Sequence, residues 1–526
     1  MFIFRVDSSR EIGSGHLQRC VTLARELNHR GHASTFMMRN SSDGAFDFIE
    51  RSGHNIIRLS TVGFHPPLRQ DPFDSKVWLG TNQRRDAEDT VKVIKREDLE
   101  EGWLIADHYG IGREWEETAR NAGLKMMVID DLMTVNHDCD LLLNQNVLDT
   151  RGVHAAYRTL VSDSASLFAG PRYALLDPVY RQLRMGKRAQ RRNLGRALIY
   201  YGSGDPTNET LKAVQAFATP HLRRIQIDIV LGRDSVEDER IHELARNRGN
   251  CTVYKDLPHL GDLLMVADIC LGAGGTTSIE RFCLGVPAIV TTIAVNQEEV
   301  SKYAHQLGLL FLLGRSAHVR VDDVVGAIER CFDDVEALNV MSERAFSLVD
   351  GCGAERVADI LCGDLRIKAT LRPATLLDED LLFCWANDPL VRANAFNHAE
   401  ISIEAHKNWF GQSLMSEECR IWVMDVNGRP AGQVRWNKKG DRATLDYSIA
   451  NEYRGKGLGK LMIRLSVREI GAIWPDCILQ AKVLPTNVAS IKLLKAVGFN
   501  EIPGEMEHNG RQLVFRHTDP SFGVQL

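Results

Sequence analysis

The sequence lacks the features that would indicate a membrane or secreted protein. No apolar run reaches the roughly 18–20 residues that a bilayer-spanning helix needs. Residues 1–7 become polar too soon for a signal peptide and instead predict a first β-strand. A formal net charge of −5 gives no electrostatic reason to expect nucleic acid as a partner. We therefore expect a cytoplasmic protein that binds neither a membrane nor nucleic acid.

Paired cysteines are absent as well. The 11 cysteines include no C-x-x-C pair and match no spacing that is typical of a zinc site. A chain of 526 residues can build large hydrophobic cores and needs no disulfide bonds for stability. We expect reduced thiols and no bound metal.

What the sequence does contain is a long alternation of short apolar runs with amphipathic segments. The first series of runs, which predicts buried parallel strands, lies at residues 2–6, 103–106, 126–129 and 140–143. A second series follows a basic, exposed connection at 184–192 and lies at 197–201, 225–231, 269–271 and 288–292. Such alternation is typical of an α/β sheet with helices on both faces. We predict two Rossmann-like lobes, at residues 1–185 and 193–350.

The pattern changes after about residue 365. Segments 421–426, 431–436 and 443–450 predict an antiparallel meander of strands. Asn427-Gly428 predicts a tight turn between the first two of them. We predict a third domain of α+β type at residues 366–526.

A glycine-containing loop follows the first predicted strand and leads into a helix at His16. Gly13 and Gly15 permit positive φ and close backbone approach. The helix start offers unpaired N–H groups and a positive dipole end, which favour a phosphate. An imidazole with a pKa of about 6.5 suits a general base acting on water. The alternative is a histidine that only caps the helix or packs against it.

A second glycine loop, at residues 272–280, opens a helix in the second lobe and could hold a diphosphate or a nucleoside. Glu280 could accept hydrogen bonds from both ribose hydroxyls. Alternatively, Thr277 and Glu280 form a helix capping box, which needs no ligand. Asn296 and Gln297 could bind substrate hydroxyl or acetamido groups, or could simply cap the next helix.

These motifs, taken in order, resemble the UDP-sugar hydrolase family of pseudaminic acid biosynthesis over roughly residues 1–350. The matching pieces lie at residues 5–19, 107–111, 130–131, 140–146, 280 and 296–297. That family is similar in fold to the lipid-linked N-acetylglucosamine transferase of peptidoglycan synthesis, which has the two-lobed GT-B fold. The resemblance therefore implies two lobes with the substrate in the crevice between them.

The same resemblance implies the reaction. Water would replace UDP, with inversion, at the anomeric carbon of UDP-2,4-diacetamido-2,4,6-trideoxy-β-L-altropyranose, and His16 would position or deprotonate that water. Residues 107–109 would lie near the sugar, where the strand-end rule also places them. The predicted substrate-binding residues are Asp7, Gly13, Gly15, Asp107, His108, Tyr109, Gly274, Thr276, Thr277, Glu280, Asn296 and Gln297. A glycosyltransferase and a sugar-nucleotide sensor without catalysis are the alternatives.

In the third domain, Arg454-Gly455-x-Gly457-x-Gly459 lies at a strand–helix junction. Successive N–H groups of such a loop can surround a pyrophosphate, and Lys456 and Lys460 add positive charge. Together with a helix that opens near Asn487, this loop resembles the GNAT acetyltransferase superfamily. The resemblance implies acetyl-CoA as cosubstrate, bound by Ile449, Arg454, Lys456, Gly457, Leu458, Gly459, Lys460 and Asn487.

The acceptor amine is indicated by residues 385–410, which resemble acetyltransferases that act on amino-sugar nucleotides. That resemblance implies acetylation of the 4-amino group of UDP-4-amino-4,6-dideoxy-N-acetyl-β-L-altrosamine, the precursor of the hydrolase substrate. Protein N-terminal acetylation is the alternative. Many relatives carry a tyrosine that protonates the CoA thiolate, but this chain has Leu494 there. Either Tyr447 or a water serves instead, or the acceptor differs. His406 is either the base or a structural histidine.

Overall fold

The computed structural model describes residues 1–9, 12–60, 78–148, 153, 156–157, 159–162, 164–186, 191, 193–202, 204–232, 238–363, 369–426, 429–507 and 512–517. The predicted turn at Asn427-Gly428 and part of the basic connection lie outside these residues. The chain divides into two compact units, Met1–Leu361 and Cys362–Leu526.

The first unit begins with a parallel seven-stranded sheet in the order β3-β2-β1-β4-β5-β6-β7. Its strands are β1 (Phe2–Val6), β2 (Ser34–Met38), β3 (Asn55–Arg58), β4 (Trp103–Asp107), β5 (Lys125–Ile129), β6 (Leu141–Asn144) and β7 (Ser166–Ala169). Its helices are α1 (Gly15–His29), α2 (Asp43–Arg51), α3 (Gln83–Arg96) and α4 (Arg113–Ala119). The strand order reverses between β1 and β4, which leaves a crevice at their carboxyl ends.

The same unit contains a second parallel sheet of six strands, in the order β10-β9-β8-β11-β12-β13. The strands are β8 (Arg196–Tyr200), β9 (Gln226–Leu231), β10 (Cys251–Lys255), β11 (Ile269–Ala273), β12 (Ala288–Thr292) and β13 (Phe311–Arg315). The helices are α5 (Pro178–Arg184), α6 (Glu209–Phe217), α7 (Asp238–Arg248), α8 (Gly261–Val266), α9 (Thr277–Leu284), α10 (Glu298–Gln306), α11 (Val321–Asp333), α12 (Val335–Leu348) and α13 (Gly353–Cys362). The strand order reverses here between β8 and β11.

The second unit is built on a mixed seven-stranded sheet in the order β14-β15-β16-β17-β18-β20-β19. Its strands are β14 (Ala369–Pro373), β15 (Cys419–Val426), β16 (Arg429–Lys439), β17 (Arg442–Ile449), β18 (Ile478–Val483), β19 (Phe499–Glu507) and β20 (Gln512–His517). Its helices are α14 (Glu379–Ala386), α15 (Pro389–Ala393), α16 (Ile403–Met415), α17 (Leu458–Ile473) and α18 (Val488–Ala496). The pair β17–β18 is parallel, whereas β15 to β17 form the predicted antiparallel meander.

Burial explains why the sequence pattern differs between the units. Every residue of β1, β2 and β12 is buried, because helices cover both faces of a parallel sheet. Buried and more exposed residues instead alternate along β16. The predicted fold class, two Rossmann-like lobes followed by an α+β unit, is confirmed. Within the described part of the chain, no helix has the length and apolarity that crossing a membrane would require.

Candidate functional sites

His16 lies in the first turn of α1, directly after the loop that leaves β1. Its Nδ1 is 2.6 Å from Oδ1 of Asp107, the last residue of β4. Because β1 and β4 are paired neighbours, with Val6 opposite Asp107, these two residues meet at the reversal point of the sheet. Asp107 has 0% of its surface exposed and His16 has 7%, so the imidazole covers the carboxylate.

The contact at Nδ1 determines which ring nitrogen can act on a substrate. An ionised carboxylate only accepts hydrogen bonds, so Nδ1 carries a proton and its N–H donates a hydrogen bond to Asp107. Nη2 of Arg19 lies 3.2 Å from the same Nδ1 but donates to Asp107 Oδ1 over the shorter distance of 2.6 Å. Nε2 is thereby left as the acceptor, as a general base requires.

A closed ring of side chains fixes this imidazole. Arg19 donates to both oxygens of Asp107 and, over 2.7 Å, to Oδ2 of Asp131. The hydroxyl of Tyr109 donates to the same Asp131 oxygen over 3.0 Å. The aromatic rings of Tyr109 and His16 meet in a T-shaped contact, with centroids 4.4 Å apart. This contact completes a closed series of contacts through His16, Asp107, Arg19, Asp131 and Tyr109.

The ionisation of the surrounding groups follows from burial and charge. Burial would raise the pKa of Asp107, but Arg19 and His16 outweigh that effect and hold the pKa well below its usual range. Asp107 is therefore a carboxylate throughout the neutral pH range. Burial lowers the pKa of His108 to about 4, and its Nδ1 accepts the N–H of Gly110 over 2.9 Å. Burial raises the pKa of the Tyr109 hydroxyl, so both neighbours are neutral.

Asp7 lies deeper, at the end of β1. It accepts the backbone N–H of Arg39 over 2.6 Å and the hydroxyl of Ser41 over 3.2 Å, and it pairs with Arg5 at 2.9 Å. The sequence predicted substrate contacts for Asp7 and Asp107, and here the structure differs. Both side chains are fully buried and their oxygens bond protein groups, so neither offers a surface to a sugar.

The glycine loop after β11 faces the start of α1. A Cβ placed on Gly15 would lie 3.5 Å from Oγ1 of Thr276, so the two predicted loops meet between the lobes of the first unit. Gly13 has φ +80°, and no atom of the described residues outside its immediate neighbours lies within 4 Å of the position that its Cβ would take. The positive φ favours glycine, and the open space leaves room for a ligand beside His16.

Two glycines of the second loop are required by close packing. A Cβ on Gly272 would lie 2.6 Å from the carbonyl oxygen of Tyr200, and one on Gly274 would lie 2.3 Å from Oγ of Ser301. Both distances are below any contact that a real Cβ atom makes, so larger residues would displace the loop.

Gln297 and Asn296 follow β12, beside the second glycine loop. The side-chain oxygen of Gln297 accepts the N–H groups of Gly274 and Ile293, over 3.2 and 3.1 Å. Gln297 thus braces the glycine loop with its oxygen, whereas Asn296 is exposed. Gln297 is also the N-cap of α10, but its side chain makes no capping hydrogen bond, so the simple capping alternative is not what the structure shows.

Glu280 lies in the first turn of α9, where the hydroxyl of Tyr180 bonds its carboxylate. The capping-box alternative does not occur, because the N-cap residue is Thr276 and its side chain makes no capping hydrogen bond. Thr277 is the first helical residue instead. Burial raises the pKa of Glu280 to about 7, so this carboxyl changes charge near neutral pH.

In the second unit, β17 and β18 separate after a short parallel stretch. Arg442 to Leu445 pair with Ile478 to Ala481, whereas the end of β17 pairs with β16 on its other side. Past Leu445, the described pairing leaves one edge of β17 free. Backbone groups at such an edge can bond an extended ligand, as an added strand would.

The predicted pyrophosphate loop lies next to this opening. Gly455 and Gly457 have φ of +75° and +77°, and nothing lies within 4 Å of the positions that their Cβ atoms would take. Gly457 is the N-cap of α17, and Lys456 and Lys460 are exposed beside it. Free N–H groups, open space and two cations fit the pyrophosphate of acetyl-CoA.

The other predicted residues of this unit either bond protein groups or are buried. Arg454 donates to Asp388 over 2.8 Å and to the carbonyl of Ile449 over 2.9 Å, so it fixes the loop by internal bonds. Asn487 caps α18 through the N–H of Ser490. Leu458 and Gly459 are buried at the start of α17.

The residues considered as acid or base of the second unit have different surroundings. The Tyr447 hydroxyl donates to Oγ of Ser490 over 2.8 Å, which bridges the end of β17 and α18. Leu494 is fully buried in the core. His406 is 2% exposed and bonds the carbonyl of Glu379 over 2.9 Å, which supports the structural alternative for this histidine.

Arg19 and Asp131 were not predicted as site residues from the sequence. A local signal existed for Arg19, since it follows His16 by three residues and so shares its helix face. Asp131 follows β5, the neighbour of β4, whose carboxyl end meets the same sheet edge. Only the packed sheet shows that Arg19 bonds both carboxylates.

Comparison with known proteins gives matches over both units. Residues 368–500 match the sequence model of the acetyltransferase (GNAT) domain family. An uncharacterized protein of Methanocaldococcus jannaschii is 23% identical over 512 residues, which cover 94% of this chain and 96% of the relative. The UDP-2,4-diacetamido-2,4,6-trideoxy-beta-L-altropyranose hydrolase of Campylobacter jejuni is 22% identical over 307 residues, which cover 58% of this chain and 96% of that enzyme.

Among solved structures, MurG of Acinetobacter baumannii is 12% identical with a TM-score of 0.48, and the match covers 69% of this chain and 99% of that one. The resemblances to the UDP-sugar hydrolase family and to the GNAT superfamily are confirmed. The second unit contains a GNAT acetyltransferase domain, for which acetyl-CoA is the cosubstrate.

Proposed function

We propose that the first unit hydrolyses UDP-2,4-diacetamido-2,4,6-trideoxy-β-L-altropyranose to UDP and the free sugar, in the cytoplasm. The observation that carries this proposal is the His16–Asp107 pair at the sheet reversal, opposite the second glycine loop. The related hydrolase, which aligns over 96% of its length, supports the choice of substrate.

In this reaction, Nε2 of His16 accepts a proton from water while the water oxygen attacks the anomeric carbon. The bond from that carbon to the UDP oxygen breaks, and UDP leaves with the electron pair. The hydrogen bond to Asp107 stabilises the imidazolium that forms. N–H groups at the starts of α1 and α9 stabilise the charge on UDP, so no strong acid is needed.

The remaining predicted residues divide between the two ends of this substrate. Ionised Glu280 accepts the ribose hydroxyls, and the loop around Gly274, Thr276 and Thr277 binds the diphosphate. Tyr109 and Asn296 serve the sugar side, whereas His108 is buried with its Nε2 3.5 Å from Asp7 and acts through that neighbour. Asp7 and Asp107 act through the protein groups that they bond.

We also propose that the GNAT domain acetylates the 4-amino group of UDP-4-amino-4,6-dideoxy-N-acetyl-β-L-altrosamine. The neutral amine attacks the thioester carbon and the C–S bond breaks. The nitrogen loses a proton to water, and the CoA thiolate takes up a proton. The product of this transfer is the substrate proposed for the first unit. Residues 385–410, which resemble amino-sugar nucleotide acetyltransferases, support this acceptor.

Tyr447 is the proton donor that we propose for the thiolate, because Leu494 has no proton to give. Tyr447→Phe should lower kcat for acetyl transfer roughly 100-fold and leave KM for acetyl-CoA almost unchanged. Release of free CoA thiol, followed with a thiol reagent, measures both constants. Tyr303→Phe, in the first unit, is the matched control and should have no effect. Full kcat in Tyr447→Phe would assign the role to water.

The whole proposal is tested in one tube. Enzyme, the 4-amino UDP-sugar and acetyl-CoA are followed by NMR, and we expect the N-acetyl signal first, then UDP and free reducing sugar. Without acetyl-CoA, neither product should form. At the earliest times, the free sugar should have the anomeric configuration opposite to that of the UDP-sugar.

The same measurements separate the alternatives. A glycosyltransferase would release little free sugar until an acceptor alcohol is added. A sensor would bind the UDP-sugar without consuming it. A protein N-terminal acetyltransferase would release CoA with peptides instead of the amino sugar.

A further inference from the structure

We infer that Arg19 keeps His16 available as a base by sharing the carboxylate of Asp107, and that it fixes the imidazole through Asp131 and Tyr109. Arg19 is a positioning residue in this scheme, because it reaches the reaction only through His16. The inference rests on the function proposed for the first unit.

The buried carboxylate of Asp107 lies beside His16, the proposed base, and its charge favours the protonated ring. A carboxylate within hydrogen-bond distance stabilises imidazolium, so it raises the pKa of the histidine. A histidine that is already protonated cannot take a proton from water. The pair of His16 and Asp107, which are 2.6 Å apart and almost completely buried, would have this effect if it stood alone.

The molecule contains that contrasting case. His137 lies 2.7 Å from Glu116 and 3.7 Å from Asp130, and it is buried as well. The contacts described for these two carboxylates are with backbone N–H groups, His137 and Tyr157, and none is with an arginine. The two carboxylates overcome the effect of burial and raise the pKa of His137 to about 9.

At His16, unlike at His137, an arginine bonds the carboxylate that faces the ring. Nε and Nη2 of Arg19 both bond Asp107 at 2.6 Å, so the carboxylate is already neutralised by a fixed cation. Nη2 also lies 3.2 Å from Nδ1 of His16, where its charge opposes a second positive charge on the ring.

The groups that face the imidazole come from three elements. They are Arg19 and Cys20 on α1, Asp107, His108 and Tyr109 at the end of β4, and Asp131 after β5. The buried thiol of Cys20, Tyr109 and His108 are neutral near pH 7. Arg19 is therefore the one cation in this set, and it is shared between the carboxylates of Asp107 and Asp131.

Arg19→Gln removes the cation and leaves Asp107 to His16. The acid limb of the pH profile of kcat/KM for UDP release should move to higher pH, because the ring then faces Asp107 without the competing cation. Activity at pH 7 should fall at least tenfold and recover at higher pH, whereas a purely structural defect would lower the rate equally at every pH.

Arg19→Lys keeps the charge but cannot bond both carboxylates through a planar fork. Its pH midpoint should stay close to that of the unaltered enzyme, while kcat falls because the imidazole is held less firmly. Asp131→Asn should lower the midpoint, since it removes a negative charge that Arg19 now shares. Arg51→Gln, exposed at the end of α2, is the control and should change neither quantity.

An unchanged acid limb of the pH profile in folded Arg19→Gln overturns the inference. If that variant does not fold, as judged by circular dichroism, an unchanged midpoint of the pH profile in Asp131→Asn overturns it instead. Failure of the proposed function has a different signature, because replacement of His16 itself would then leave UDP release intact.

Discussion

His16→Ala should lower kcat/KM for UDP release by at least about 1000-fold, with little change in the affinity for UDP. The reason is that, among the described residues, the carboxyl group next to the ring cannot replace it as a base. Asp107 stands behind the imidazole, but its pKa lies far below neutral and Arg19 occupies both of its oxygens. UDP contacts the helix starts in our scheme and not the ring, so calorimetric binding of UDP should persist.

The same helix offers a matched control. His29 is exposed in the last turn of α1, and His29→Ala should leave UDP release unchanged. His16→Gln keeps a hydrogen-bonding side chain but cannot accept the proton, so it should be as slow as the alanine variant. Residual activity above a tenth in His16→Ala would contradict the proposed mechanism.

Gly457→Val should abolish most acetyl transfer, with the dissociation constant of acetyl-CoA rising by about 100-fold. Two effects combine at this position. The φ of +77° is strained for a β-branched residue, and the added side chain would fill the open space where the pyrophosphate binds. Calorimetric titration with acetyl-CoA, or with CoA itself, measures the loss directly.

Gly440→Val isolates the binding effect from the strain. Gly440 has φ +61° in the turn between β16 and β17, also with nothing within 4 Å, so its replacement costs similar backbone strain. Both variants should lose about 1–2 kcal/mol of stability, but only the change at Gly457 should weaken acetyl-CoA binding. Hydrolysis of the UDP-sugar should continue in both. Equal acetyl-CoA binding by the two variants would remove this loop from the cosubstrate site.

Strand positions were predicted where a fully buried strand is also a continuous apolar run. The fully buried β2 was missed because Ser34 and Thr35 interrupt its apolar pattern. The run at residues 2–6 and the run at 288–292 coincide with β1 and β12, whose residues are all buried. The edge strands β10 and β13 were not predicted. Both are only partly buried, and β10 shows no continuous apolar run, whereas the apolar run at residues 309–313 that leads into β13 was missed. The helix predicted from His16 begins at Gly15, since its amphipathic period is a local property.

Side-chain roles were less predictable, because they depend on partners that are distant in sequence. Asp107 lies 91 residues from His16, and only the pairing of β1 with β4 directs it at the imidazole. Arg454 was expected at the pyrophosphate, yet it bonds Asp388, 66 residues away. Thr277 and Glu280 have capping-box spacing, but the helix begins one residue earlier than that motif requires.

The sequence by itself determined the two glycine loops, the histidine at the start of α1, the loop of the GNAT domain and the positions of the main strands along the chain. These features depend on local backbone freedom and on hydrophobic periodicity, which neighbouring residues specify. The tertiary structure alone decided that Asp107 orients His16, that Arg19 joins Asp107 to Asp131, and that Tyr447 meets Ser490. Such pairings arise when separate elements pack, and the free energy of burying each charge with its partner selects them.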